Sequence, residues 1–68
     1  NPTLSSTYKL LLAALGHTGA LQETAAVRYR LRQLEPGYSL AEARLRSTFR
    51  LPEDLDRFID GLRRGGLT

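Results

Sequence analysis

The sequence has no cysteine, methionine or tryptophan, and only three tyrosines and two phenylalanines among 68 residues. Without cysteine, neither a disulfide nor a thiolate metal site can supplement the core. The one histidine, His17, stands in the turn Gly16-His17-Thr18-Gly19 with no second histidine or acid beside it. It therefore reads as a solvent-exposed turn residue, not a ligand or a general base. No apolar run approaches the roughly 20 residues of a membrane span, and the N-terminal stretch lacks the charged-then-apolar order of a signal peptide. There is no β-branched run to argue for a strand, no glycine-rich phosphate loop and no nucleophile elbow. The acids Glu53, Asp54, Asp56 and Asp60 alternate with Arg57, Arg63 and Arg64, the pattern of a solvated helix face. These absences leave the expectation of a soluble, cytoplasmic, non-catalytic helical chain, with no cofactor and no metal.

What is present is helical periodicity. The stretch Gly19 to Pro36 reads as the organising helix, with Ala20, Thr24, Val27, Leu31 and Leu34 on one stripe. Before it, a first helix is expected to be capped by Ser5 or Ser6 and closed by Gly16, after a frayed Asn1-Pro2-Thr3. Its inner stripe would be Leu4, Tyr8, Leu11 and Leu15, while Leu10, Ala13 and Ala14 give it a second apolar side. After the breaker Glu35-Pro36-Gly37, the box Ser39-Leu40-Ala41-Glu42 starts a third helix, with Ala41, Leu45 and Thr48 on its inner face. Pro52, followed by Glu53 and Asp54, starts a fourth, on which Leu55, Phe58, Ile59 and Leu62 form the clearest amphipathic spacing and Gly65-Gly66 the stop. The fold class is all-α, four helices in two consecutive hairpins (1–37 and 38–68) within a single domain. A domain this small buries only about 60% of the surface of its unfolded chain.

Two antiparallel helices meeting at Gly19, with Pro36 after the second and Tyr8, Leu11 and Leu15 on the large positions of the first, resemble a tetratricopeptide repeat. Leu12, Thr24 and Arg28 depart from the usual small, small and aromatic residues of that unit. The second half, with Phe49-Arg50-Leu51-Pro52 and Gly61-Leu62-Arg63-Arg64-Gly65-Gly66-Leu67, is similar to the end segment of bacterial tetratricopeptide arrays found with class III adenylate or guanylate cyclases and with some transcriptional regulators. The resemblance implies a degenerate capping hairpin at the C-terminal end of a larger signalling protein. It also implies a protein or peptide partner on the face lined by the first helix, with Tyr8, Lys9 and Leu12 as partner-binding residues. Terminal array units need a polar outer side, which the acid- and Arg-rich last helix suits; in an intact array a preceding hairpin would bury Leu10, Ala13 and Ala14, so here they are expected to drive self-association as a two-fold dimer through the first helix.

The charge balance is +3, and Lys9 is the only lysine among ten basic residues. A second reading follows, a small basic helical DNA-binding domain in which Arg28, Arg30, Arg32, Arg44, Arg46 and Arg50 contact phosphates. Against it, Arg28, Arg30 and Arg32 at i, i+2 and i+4 do not share one helical face.

Overall fold

Helix formers, a glycine stop and a proline start divide the chain into four α-helices: α1 (Pro2–Thr18), α2 (Leu21–Leu34), α3 (Leu40–Arg46) and α4 (Pro52–Arg64). The computed structural model describes residues 2–47 and 49–68, and the side chains of all of these except Pro2 and Thr3. No strand occurs among the described residues. Asn1 and Thr48, expected at a frayed end and on the inner face of α3, lie outside them.

The termini explain the boundaries. Gly19 ends α1: its φ of 75° is left-handed, and its N–H donates to the Leu15 carbonyl at 3.1 Å. Gly16, expected to close the helix, lies inside it. Ser5 and Ser6 likewise lie a turn inside, so neither caps it. In α3, the Ser39 hydroxyl accepts from the Glu42 N–H at 3.2 Å, but the Glu42 carboxylate turns to Arg46 at 3.0 Å. Half of the capping box is therefore used. The end of α4 is a Schellman motif. Leu67 N–H donates to the Leu62 carbonyl and Gly66 N–H to that of Arg63, both at 3.0 Å, with Gly66 at φ 95° and Leu62 and Leu67 both buried.

Helix α1, not α2, is the shared element. It packs along both α2 and α4, whereas α3 lies against α4 alone. Its inner stripe is Ser5, Leu12, Ala13 and Gly16, all buried; Leu4 and Leu11 are exposed. The expected stripe was thus rotated by about one residue. The reason is the contact with α4, which selects small residues over large ones. A Cβ on Gly16 would meet the Gly61 carbonyl oxygen and lie 2.9 Å from the Gly65 nitrogen. One on Gly61 would meet the Ala13 carbonyl oxygen, and one on Gly65 would lie 2.8 Å from Leu12 Cδ1. A glycine inside a helix costs about 1 kcal/mol relative to alanine, and here two such glycines let two backbones touch. Ala13, expected as part of an exposed self-association surface, is buried by the same contact.

Leu12, Leu31 and Leu62, from three helices, are the largest fully buried side chains, and one cluster joins them to Tyr38, Ala43, Ile59 and Leu67. The radius of gyration, 10.9 Å, matches the about 11 Å of a compact domain of this length. The stripe of α4 is as expected: Ile59 and Leu62 are buried, and Leu55 and Phe58 pack against the cluster. On α2, Thr24 and Leu31 are buried, Val27 is half-buried and Leu34 is exposed; Ala20, half-buried, stands just before the helix. On α3, Ala41 and Leu45 are exposed, Leu45 to 80%, and Ala43 is the buried residue. Seven residues make too short a helix for a long stripe, and Tyr38 and Leu40 supply the apolar contacts instead.

Replacing Gly16 or Gly61 with alanine is expected to destabilise the chain despite the better helix propensity, because a backbone carbonyl cannot rotate out of the way. The net loss should be about 1–2 kcal/mol, or roughly 5–10 °C in melting temperature. Gly37→Ala, where no atom lies within 4 Å of the added Cβ, should change little. Thermal unfolding followed by circular dichroism is the check, and a Gly16→Ala melting point at or above that of the parent would contradict the packing.

Candidate functional site

The breaker after α2 places an acid where three elements converge. Glu35 Oε2 accepts from the Ser5 hydroxyl at 2.5 Å and pairs with Lys9 at 2.6 Å, both on α1. Its Oε1 pairs with Arg46 of α3 at 2.7 Å. Arg46 also reaches Glu42 through Nε. Both cations lie over Tyr38, the Lys9 ammonium 4.3 Å and the Arg46 guanidinium 5.5 Å from the ring centroid. The Lys9 and Ser5 hydrogen bonds, with Arg46 adding to them, hold the Glu35 carboxyl down at about 2, against the opposing effect of its burial. Burial pushes the Tyr38 phenol up.

Beside this hub is a cleft of about 240 Å³. Helix α1 lines it with Ser6, Lys9 and Leu10, and α3 with Ala43 and Arg46. Tyr38, Ser47, Phe49 and Phe58 complete it. Tyr38 and Ala43 are buried at its base, while Leu10, 59% exposed, and Phe49, 43% exposed, stand at its mouth. The Phe49 and Phe58 rings are 5.2 Å apart and tilted by 42°. A second groove, between α3 and α4, has Leu40, Ala41 and Ile59 beneath a rim of Arg44, Asp56, Asp60 and Arg63. Its cations are already matched to its acids, Arg44 with Asp56 at 3.5 Å and Arg63 with Asp60.

The residues expected to bind a partner separate. Lys9 is in the cleft; Tyr8 is half-buried against the core; Leu12 has no exposed surface and cannot meet a partner from where it stands. Of the self-association set, Leu10 is at the cleft mouth, Ala14 is exposed elsewhere on α1, and Ala13 is covered by α4. Three of the six arginines of the nucleic-acid reading have partners within the chain. Arg28 donates to the Gly65 carbonyl at 2.7 Å and secures the end of α4, Arg44 pairs with Asp56, and Arg46 belongs to the hub. Arg30, Arg32 and Arg50 remain exposed.

His17 is exposed and donates from Nε2 to the Arg57 carbonyl at 2.8 Å, a second tie between α1 and α4. Among the described residues, no group of three His, Cys, Asp or Glu converges, and no helix is long and apolar enough to cross a membrane. Comparison with protein-family models, with curated proteins and with solved structures finds no match.

Sequence reasoning missed Glu35, Tyr38 and the two phenylalanines as parts of one site. The available signal was Lys9 itself: a lone lysine on the buried side of an apolar helix requires a nearby anion.

Because the folded-state carboxyl of Glu35 lies below its ordinary value, its contribution is full above about pH 4.5 and disappears as the pH falls toward 2. Over that range the chain should lose about 1–2 kcal/mol through Glu35, after allowing for screening of a partly exposed group. Glu35→Gln should flatten most of this slope. Asp60, lowered by Arg63 and then Arg64, should leave a smaller remainder. Urea unfolding at pH 6.5 and pH 3 is the check; an unchanged pH dependence in Glu35→Gln would contradict the hub.

Proposed function

We propose that the chain is a non-catalytic protein-interaction module that holds a partner segment in the cleft between α1, α3 and Phe58 of α4. The observation that supports it is the cleft itself, where exposed Leu10 and Phe49 adjoin Lys9 and Arg46. An apolar mouth beside fixed charges suits a segment with an anchor side chain and polar flanks. The resemblance to tetratricopeptide units carries the same expectation of a peptide partner, and the C-terminal segment of a larger bacterial signalling protein, such as a nucleotide cyclase, remains the proposed context. The surface differs from the one expected: Lys9 keeps its part, while Leu10, Arg46 and Phe49 stand in for Tyr8 and Leu12.

Selection from a displayed random-peptide library on the immobilised 68-residue chain should enrich sequences whose binding is lost in Leu10→Glu. Leu10 is exposed, so the variant should keep the parent's circular dichroism. Enrichment of binders indifferent to Leu10, or no enrichment, would contradict the reading. Duplex DNA at physiological salt should bind no more tightly than the about 10⁻⁴ to 10⁻⁶ M of non-specific contacts, measured by fluorescence anisotropy; nanomolar, sequence-dependent binding would favour the basic DNA-binding alternative.

A further inference from the structure

Helix α2 carries a stripe whose charges find no opposite charge within the chain. Ala20, just before the helix, and Glu23, Val27, Arg30 and Leu34 on it follow at steps of three, four, three and four, which sets them along one side. The buried Thr24 and Leu31 lie beside this stripe, and beyond them Arg28 reaches the Gly65 carbonyl at the end of α4. The stripe is therefore the flank of α2 turned away from α4. It is open: Glu23 and Arg30 are exposed, and Leu34 is 40% exposed. Among the described residues the Glu23 carboxylate has no partner, and Arg30 reaches only the Gln33 side chain, at 3.5 Å.

The adjoining flank of α1 extends the apolar part. Leu4 and Leu11, seven residues apart and both 41% exposed, lie on the side of α1 away from Ala13 and Gly16, which meet α4. In an antiparallel hairpin turning at Gly19, Leu4 comes about level with Leu34 and Leu11 with Val27, so apolar residues of both helices share this face. Ser6 and Lys9 of the cleft lie on the opposite side of α1.

The order of the stripe selects its partner. From either end it runs apolar, charged, apolar, charged, apolar, and reversal exchanges the acid for the base. Two copies of α2 laid antiparallel about a two-fold axis at Val27 bring Glu23 of each copy to Arg30 of the other, Ala20 to Leu34, and Val27 to Val27. A parallel pair would oppose Glu23 to Glu23 and Arg30 to Arg30. An isologous interface must be self-complementary in this sense, and both charges are free to meet it.

We propose that the chain forms a two-fold homodimer through this flank of the α1–α2 hairpin, with α2 antiparallel to its counterpart. Two reciprocal pairs of Glu23 with Arg30 set the register, and Val27, Leu34, Leu4 and Leu11 supply the apolar contact. Exposed ion pairs add little affinity; their part is to exclude the wrong arrangement, where like charges would meet. The interface leaves the cleft open, so this proposal and the peptide-binding reading stand or fall separately.

The test is sedimentation equilibrium of the 68-residue chain from micromolar to millimolar protein. The parent should show a monomer–dimer equilibrium that goes no further. Glu23→Arg and Arg30→Glu each oppose like charges twice, and each should weaken the dimer by about 10-fold or more. Both residues are exposed, so circular dichroism should be unchanged. Arg30→Glu also reduces the net charge of +3, and would strengthen association if long-range repulsion alone mattered. Mixing the two variants should restore association as a heterodimer, because both contacts are then between opposite charges. Leu10→Glu, in the cleft, should leave dimerisation unchanged. A parent that stays monomeric throughout, a mass that grows past the dimer, or a dimer lost in Leu10→Glu would overturn the proposal. So would a dimer that survives both charge reversals, or mixed variants that fail to associate.

Discussion

Two helices can approach until their backbones touch only if neither carries a side chain at the crossing, and the remaining structure depends on that condition between α1 and α4. Gly16 and Gly61 meet it directly, Ala13 nearly so, and Gly65 makes room for Leu12. The crossing brings the C-terminal part of α1 onto the C-terminal part of α4, where the His17 bond to the Arg57 carbonyl ties the two helices together and the Arg28 bond to the Gly65 carbonyl ties α2 to the end of α4. Leu12, Leu31 and Leu62 can then share one core, which two hairpins standing apart would not achieve. For a chain with so little apolar surface to bury, this apposition replaces the large side chains that it lacks.

The same arrangement sets the candidate site at the other end of α1. With α4 along one flank of α1 and α2 along another, the N-terminal half of α1 faces the breaker after α2 and the short α3. Glu35 gathers Ser5, Lys9 and Arg46 there. The helix α3 is only seven residues long and touches α4 alone, so its hold on the rest depends on Tyr38, Ala43 and the ion pairs of Arg46. Packing and electrostatics therefore divide the work: the glycine crossing fixes one end of the molecule and the Glu35 hub fixes the other, with the cleft opening beside the hub.

Much of the helical architecture is readable from residues alone. Proline at the start of α4, the stop at Gly65-Gly66 and the stripe Leu55, Phe58, Ile59 and Leu62 are local signals, and the helix follows them. The stripe of α2 is legible for the same reason. The inner face of α1 is not, because that helix is apolar nearly all round and a periodicity argument has no polar side to orient it. Large leucines were favoured as core where the partner helix requires small residues, which displaced Leu12 and Ala13 from the surface to the interior. Gly16 carried an ambiguous signal, since a glycine inside a helix can mean either a stop or a close approach. Of the site, Lys9 was legible as a partner-binding residue, and Leu10 and Arg46 only under other roles; nothing local announces that Glu35 at a breaker will serve as an ion-pair hub.

The contact between α1 and α4 can be observed directly. In a nuclear Overhauser spectrum of the labelled chain, the account predicts cross-peaks linking the α protons of Gly61 to those of Ala13 and Gly16, since only backbone separates them. Absence of these cross-peaks, with contacts from Ala13 and Gly16 running to α3 instead, would contradict it.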